Sequence, residues 1–141
     1  MSLSNRQIEI IQSATPIIAA NADAVAETFY GFLFEFDPTL RPMFRGDMKE
    51  QGRKLMQMLS VALVNVGNLD SLDGPLNALG SRHVGYGVTA DHYNTVGQAL
   101  ITTLSTMLGE SFTAEAQDAW VTLYTTLVNK VTADLYELQL N

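Results

Sequence analysis

Apolar residues recur three or four positions apart in every segment of this chain, and no stretch alternates apolar with polar residues as a half-buried strand does. A chain patterned this way buries stripes rather than sheet faces, so the pattern predicts an all-α domain of six or seven helices. Ser4, with Gln7 three residues on, has the form of a capping box and opens a helix that carries Ile8, Ile11, Ala14, Ile17 and Ile18 past Pro16. The phase resets near Asn21. A second helix carries Val25, Phe29, Phe32, Leu33 and Phe36 and ends at Asp37-Pro38, and Pro38 to Phe44 reads as a short helical corner. From Asp47, Met48, Gln51, Leu55, Met58, Leu59, Ala62, Leu63 and Val66 share one face as far as Gly67. Gln51 is its polar member.

Leu69, Leu72, Leu76, Leu79 and His83 continue the spacing across Gly74-Pro75 to Gly85 and Gly87, which places an imidazole on an apolar face. Thr89 is positioned to cap a helix bearing Tyr93, Val96, Gly97, Leu100, Ile101, Leu104 and Leu108, with Gly109 as its stop. Thr113 opens the last helix, whose stripe is Trp120, Leu123, Tyr124, Leu127, Val131, Leu135 and Leu138.

The 141 residues suit one domain, 1–141, with no linker, repeat or low-complexity tract. Lys and Arg number 8 against 15 Asp and Glu, a net charge of −7, so nucleic acid and anionic membrane are poor partners for this surface. With no cysteine, disulfides, iron–sulfur clusters, thiolate zinc sites and cysteine nucleophiles are all excluded. The same fact agrees with a cytoplasmic setting, and no apolar run has the length of a signal peptide or membrane span.

His83 and His92 are the two histidines, and neither has a histidine or carboxylate at the spacing of a zinc or di-iron helix site. There is no nucleophile elbow, glycine-rich phosphate loop or pair of acids on an apolar face. Any chemistry must therefore be borrowed. Three polar side chains stand out against apolar stripes: the imidazole of His83, the amide of Gln51 and the phenol of Tyr30. Each has a plain reading as well as a functional one. His83 alone reads as a core histidine bonded to a carbonyl, and Tyr30 and Gln51 as a buried hydrogen-bonded pair, or Gln51 as a solvent-facing amide.

What tilts the balance is a set of stretches in order: Thr28-Phe29-Tyr30 with Leu33-Phe34; Arg41-Pro42-Met43-Phe44; Gln51-Gly52-Arg53-Lys54-Leu55; Gly80-Ser81-Arg82-His83 before Tyr86-Gly87-Val88; His92-Tyr93 with Val96-Gly97; and Leu108-Gly109, Phe112-Thr113 and Ala119-Trp120. In this the chain resembles the globin family, and within it the single-domain bacterial haemoglobins that are similar to the globin part of flavohaemoglobins. The resemblance implies a three-over-three helical globin fold holding haem b. It implies that His83 is the proximal iron ligand, Phe44 the ring against the macrocycle, Tyr30 and Gln51 the distal polar pair, and Leu55 the cap of the ligand cavity.

Physical chemistry agrees with that assignment. An apolar disc whose iron needs one neutral nitrogen donor is suited by a single histidine among leucines, its other ring nitrogen donating to a carbonyl one turn back, near Leu79, or to a neighbouring side chain. O₂ bound at ferrous haem gains negative charge, and a hydroxyl and an amide N–H retain it over CO. Lys54 and Arg82 are placed to pair with propionates, and Tyr86, Val88 and Val96 to line the pocket. In the flavohaemoglobin pattern a glutamate on the last helix joins Tyr93 and the proximal histidine, whereas this chain has Leu135 or Thr132 at that place. Peroxidase-like O–O cleavage is then disfavoured. The expected function is reversible binding of O₂, NO and CO at a five-coordinate ferrous iron, in a monomer or homodimer. Nitric oxide dioxygenation would need an external reductase, and a gas sensor or a peroxidase- or nitrite-reductase-like haem protein are the alternatives.

Overall fold

The computed structural model describes residues 3–44, 46–74, 76 and 90–132. Among them are five long helices: α1 (Asn5–Ala20), α2 (Ala22–Phe36), α3 (Met48–Val64), α4 (Ala90–Leu108) and α5 (Ala114–Thr132). Shorter 3₁₀ segments cover Pro38–Met43, Leu69–Leu72 and Gly109–Ser111. No strand occurs among the described residues.

The boundaries follow from capping chemistry. At Ser4 the predicted box is complete, since its hydroxyl accepts from the Gln7 amide at 3.1 Å and its own amide donates to the Gln7 side chain at 2.9 Å. Pro16 is tolerated inside α1 because both it and Gln12, whose carbonyl it leaves without a helical donor, are exposed. Asn21 closes α1 by donating from Nδ2 to the Ile17 carbonyl at 2.8 Å. Asp47 caps α3 and Thr113 caps α5, each through a side-chain oxygen that accepts a first-turn amide. Gly109 takes φ +56°, the left-handed conformation that ends α4.

One boundary differs from expectation. Helix α3 stops at Val64, before Gly67, with Asn65 as its C-cap: the Asn65 side chain donates to the Val61 carbonyl at 2.8 Å beside its own backbone amide at 3.2 Å. Val66 is nevertheless buried, in the turn rather than on the helix.

Helix α2 packs most extensively against α4 and also against α3, while α1 lies against α5. The largest cluster joins Ile11, Ile18, Val25, Leu104, Trp120 and Leu123 at the α1–α5 side. A second surrounds Ala62, Leu72, Leu76 and Tyr93, and a third surrounds Phe29, Leu33, Leu40 and Ala99. Thr103 is fully buried on α4, and its hydroxyl is satisfied by donating to the Ala99 carbonyl at 2.7 Å. No helix among the described residues is long and apolar enough to cross a membrane.

Candidate functional site

The third cluster is where four of the sequence-predicted site residues meet. Helix α2 contributes Phe29, Tyr30, Leu33 and Phe34, the corner contributes Leu40 and Phe44, α3 contributes Leu55, and α4 contributes Val96 and Ala99. Four of the predicted residues, Tyr30, Phe44, Leu55 and Val96, therefore lie together although they come from four different segments. The corner is shaped locally. Asp37 accepts from the Thr39 amide at 3.1 Å, which starts the 3₁₀ turn, and the Phe44 amide ends it by donating to the Arg41 carbonyl at 3.1 Å.

Tyr30 sits at the centre of an aromatic group. Its ring meets Phe29 edge-on at 5.2 Å and Phe44 edge-on at 5.4 Å, and it stacks on Phe34 at 5.9 Å. Phe34 in turn meets Phe44 edge-on at 5.4 Å, and the Arg41 guanidinium lies 5.1 Å from its centroid. These contacts fix the phenol from three sides. Burial raises the Tyr30 pKa from its ordinary value of 10.0 to about 12, so the hydroxyl keeps its proton across the physiological range and acts as a donor.

That hydroxyl donates to the backbone carbonyl of Gln51 at 3.4 Å, so the two predicted distal residues are joined through the main chain. Close packing of α2 on α3 brings the carbonyl within reach. Gly52, the next residue, is buried, and a Cβ added there would lie 3.1 Å from the Ala26 Cβ. The Gln51 side chain is half-buried.

The other predicted residues are distributed differently. Lys54 is exposed on α3. Tyr93 is buried in the second cluster, and its carbonyl accepts from the Tyr124 hydroxyl at 2.6 Å. His92 is half-buried in the first turn of α4. Leu79, Arg82, His83, Tyr86, Val88 and Leu135 lie outside the described residues, as does the side chain of Thr132. Among the described residues no group of three or more His, Cys, Asp or Glu is arranged to hold a metal ion.

Three residues with evident structural parts at this end of the molecule were assigned none from the sequence. Phe34 bridges Tyr30 and Phe44, Arg41 covers Phe34, and Tyr124 holds the first turns of α4. Gly97 carried the signal for Tyr124, because a glycine within an apolar helical stripe marks a place where another element comes close.

Comparison with known proteins places this arrangement. The Globin family model matches residues 27–131, three quarters of the chain. The chain is 26% identical to a flavohaemoprotein of Vibrio cholerae over 125 residues, covering 86% of this chain and 32% of the relative. It is 26% identical to a flavohaemoprotein of Bacillus subtilis over 141 residues, covering 96% and 35%. With neuroglobin of Dissostichus mawsoni it shares 28% over 140 residues, covering 89% and 88%. The chain thus spans about a third of the length of the flavohaemoproteins it matches. Among solved structures, a bacterial globin from Campylobacter jejuni superposes with a TM-score of 0.84 at 25% identity, covering 98% of this chain and all of the other. An engineered carbene transferase from Rhodothermus marinus does so at 0.86 and 24%, covering 99% and all of it. From the family match, the helical architecture and these neighbours together, the chain belongs to the globin family and has the globin fold.

Proposed function

We propose that this globin binds haem b and holds a diatomic gas reversibly, with Tyr30 as the principal distal donor. The observation that carries the reading is a protonated phenol, half-buried at the centre of an apolar aromatic wall and with no ionised partner among the described residues. The described residues fit one side of such a group. A flat apolar disc is matched by Phe44, Leu55, Val96 and Phe29, and a hydroxyl set among them is the donor a bound gas requires.

When bound, haem supplies a ferrous iron that coordinates O₂, NO or CO reversibly. The chain's part is to hold it, exclude water and place a proton. In this proposal His83 is the protein ligand, oriented through the Leu79 carbonyl, and Arg82 and Lys54 neutralise the propionates. Tyr86, Val88 and Val96 line the pocket and Tyr93 closes its proximal side. The bond from Tyr30 to the Gln51 carbonyl is long, at 3.4 Å, so the hydroxyl gives it up at small cost when a more negative acceptor arrives. The Gln51 amide supplies a second donor. Residues 1–141 act as one cytoplasmic domain, and dioxygenation of nitric oxide to nitrate draws electrons from a reductase.

Absorption spectra of the purified protein, oxidised, reduced and under CO, test the proposal. Expected are one haem per chain, a five-coordinate ferrous form that takes up CO, and loss of haem retention in His83→Ala. A preparation made with ample iron that holds no haem, or a His83→Ala variant that binds it normally, overturns the reading.

A further inference from the structure

Two contacts between α2 and α3 lie within one turn of each other. On α2, Ala26 and Tyr30 are one turn apart, and on α3, Gln51 and Gly52 are neighbours. Ala26 and Gly52 are both buried, and a Cβ at position 52 would stand 3.1 Å from the Ala26 Cβ. A methyl group has no rotamer to swing aside, so such a Cβ is accommodated only by the two backbones moving apart by a few tenths of an ångström. One turn away, the Tyr30 hydroxyl reaches the Gln51 carbonyl at 3.4 Å, against about 2.7–2.8 Å for an ordinary O–H···O bond, so it has no slack to lengthen further. A helical carbonyl keeps a second lone pair, so α3 stays intact while it accepts. The Tyr30 ring cannot follow α3 outwards. Phe29 and Phe34, at 5.2 and 5.9 Å from it, belong to α2, and Phe44, at 5.4 Å, belongs to the corner.

We propose that Gly52, through its contact with Ala26, is a positioning residue: the spacing it permits keeps the Tyr30 hydroxyl on the Gln51 carbonyl at rest and so tempers the hold of that hydroxyl on a bound gas. The inference rests on the reading of Tyr30 as the gas donor. A phenol has one proton to give, so the carbonyl and the gas compete for it. Closer helices favour the carbonyl, and O₂ leaves faster. Wider helices free the phenol, and O₂ stays longer. CO is less polar and draws little on the hydroxyl in either case. Gly52→Ala should therefore slow O₂ release about twofold, the weight of one weak neutral hydrogen bond, and leave CO release unchanged. Ala26→Gly lets the helices close and should speed O₂ release by a similar factor.

Ultraviolet resonance Raman spectra of the purified protein, reduced and free of gas, read the resting bond. Subtracting the spectrum of the matching Tyr30→Phe protein isolates the Tyr30 phenol, whose C–O stretch reports whether the hydroxyl donates. In Gly52→Ala the band should move to the position of a phenol without an acceptor, and in Ala26→Gly towards that of a stronger donor. O₂ and CO release rates are measured on the same proteins. Expected are the two opposite O₂ shifts, the parent's band and rates restored in Ala26→Gly/Gly52→Ala, and no effect of Gly52→Ala on O₂ release in a Tyr30→Phe background. If Gly52→Ala fails to fold, Ala26→Gly decides by its own band and rate. A phenol band that moves in neither variant overturns the inference. So does an O₂ effect that persists without the Tyr30 hydroxyl or is matched by CO. O₂ release unaltered by Tyr30→Phe overturns instead the gas-donor reading, on which the phenol bands do not depend.

Discussion

The hydroxyl of Tyr124 on α5 donates to the backbone carbonyl of Tyr93 on α4 at 2.6 Å, while its ring lies against Gly97 one turn further along. A Cβ at position 97 would stand 2.7 Å from Tyr124 Cε2, inside any real contact distance. Glycine there and tyrosine opposite are one device. Together they bolt the start of α4, where the predicted proximal residue Tyr93 sits, to the last described helix.

Gly97→Ala should therefore destabilise the fold although alanine is the better helix former. Overpacking costs about 1–3 kcal/mol, and the propensity gain of about 1 kcal/mol offsets part of it. A net loss of about 1–2 kcal/mol in urea unfolding is expected. In a Tyr124→Leu background the same change should become neutral or stabilising, because the obstructing ring is gone. Equal losses in both backgrounds would mean the contact is not tight.

Alkaline pH should unfold the protein partly through its tyrosines. Burial raises the pKa of Tyr30 to about 12, and burial, with the nearby Tyr93 second, raises that of Tyr124 well above the ordinary value of 10.0. A raised folded value means the unfolded chain loses these protons first, so the contribution is fully present below pH 10 and is lost as pH rises through 12. Stability measured from pH 9 to 12 should fall more gently in Tyr30→Phe and Tyr124→Phe than in the parent. Parallel curves would contradict the assignment.

Lys130 near the end of α5 bridges Asp70 at 2.8 Å and Asp73 at 2.7 Å, tying that helix to the 3₁₀ segment Leu69–Leu72 and the residue after it. The hydrogen bond from Lys130, and then its charge, hold the Asp70 carboxyl below its ordinary range, and the bonds to the two aspartates raise the lysine. The depressed acid contributes above its unfolded pKa near 3.8 and is lost as pH falls below that, while the raised lysine contributes below 10.5 and is lost above it. Lys130→Met should thus lower Tm at pH 7 in dilute buffer and change it little in 1 M salt or at pH 2.5. A Tm difference that ignores salt and pH would show that the lysine acts through its aliphatic stem alone.

Much of this was legible in the sequence because it is local. Ser4 with Gln7, the Pro38 corner, Thr113 and the stop at Gly109 each depend on residues within one turn of one another. The meeting of Tyr30, Phe44, Leu55 and Val96 was legible through the resemblance, and spacing alone would not have brought four segments to one place. The rest is tertiary. The acceptor for Tyr30 is a main-chain carbonyl, which no side-chain pattern records. Tyr124 read as one more member of a stripe, since its partner is another residue's backbone. Trp120 read as the first member of the same stripe and is buried accordingly, but nothing in its neighbours' identities shows that its N–H lacks an acceptor among the described residues.

The dissociation rates of O₂ and CO from the ferrous protein, compared between the parent and Tyr30→Phe, report whether the Tyr30 hydroxyl holds the bound gas. Loss of a hydrogen bond to a charged acceptor, about 1.4 kcal/mol or more, should speed O₂ release by roughly tenfold or more, with CO release much less affected. Equal O₂ release from both proteins, or the same acceleration for both gases, would contradict Tyr30 as the donor that holds the gas.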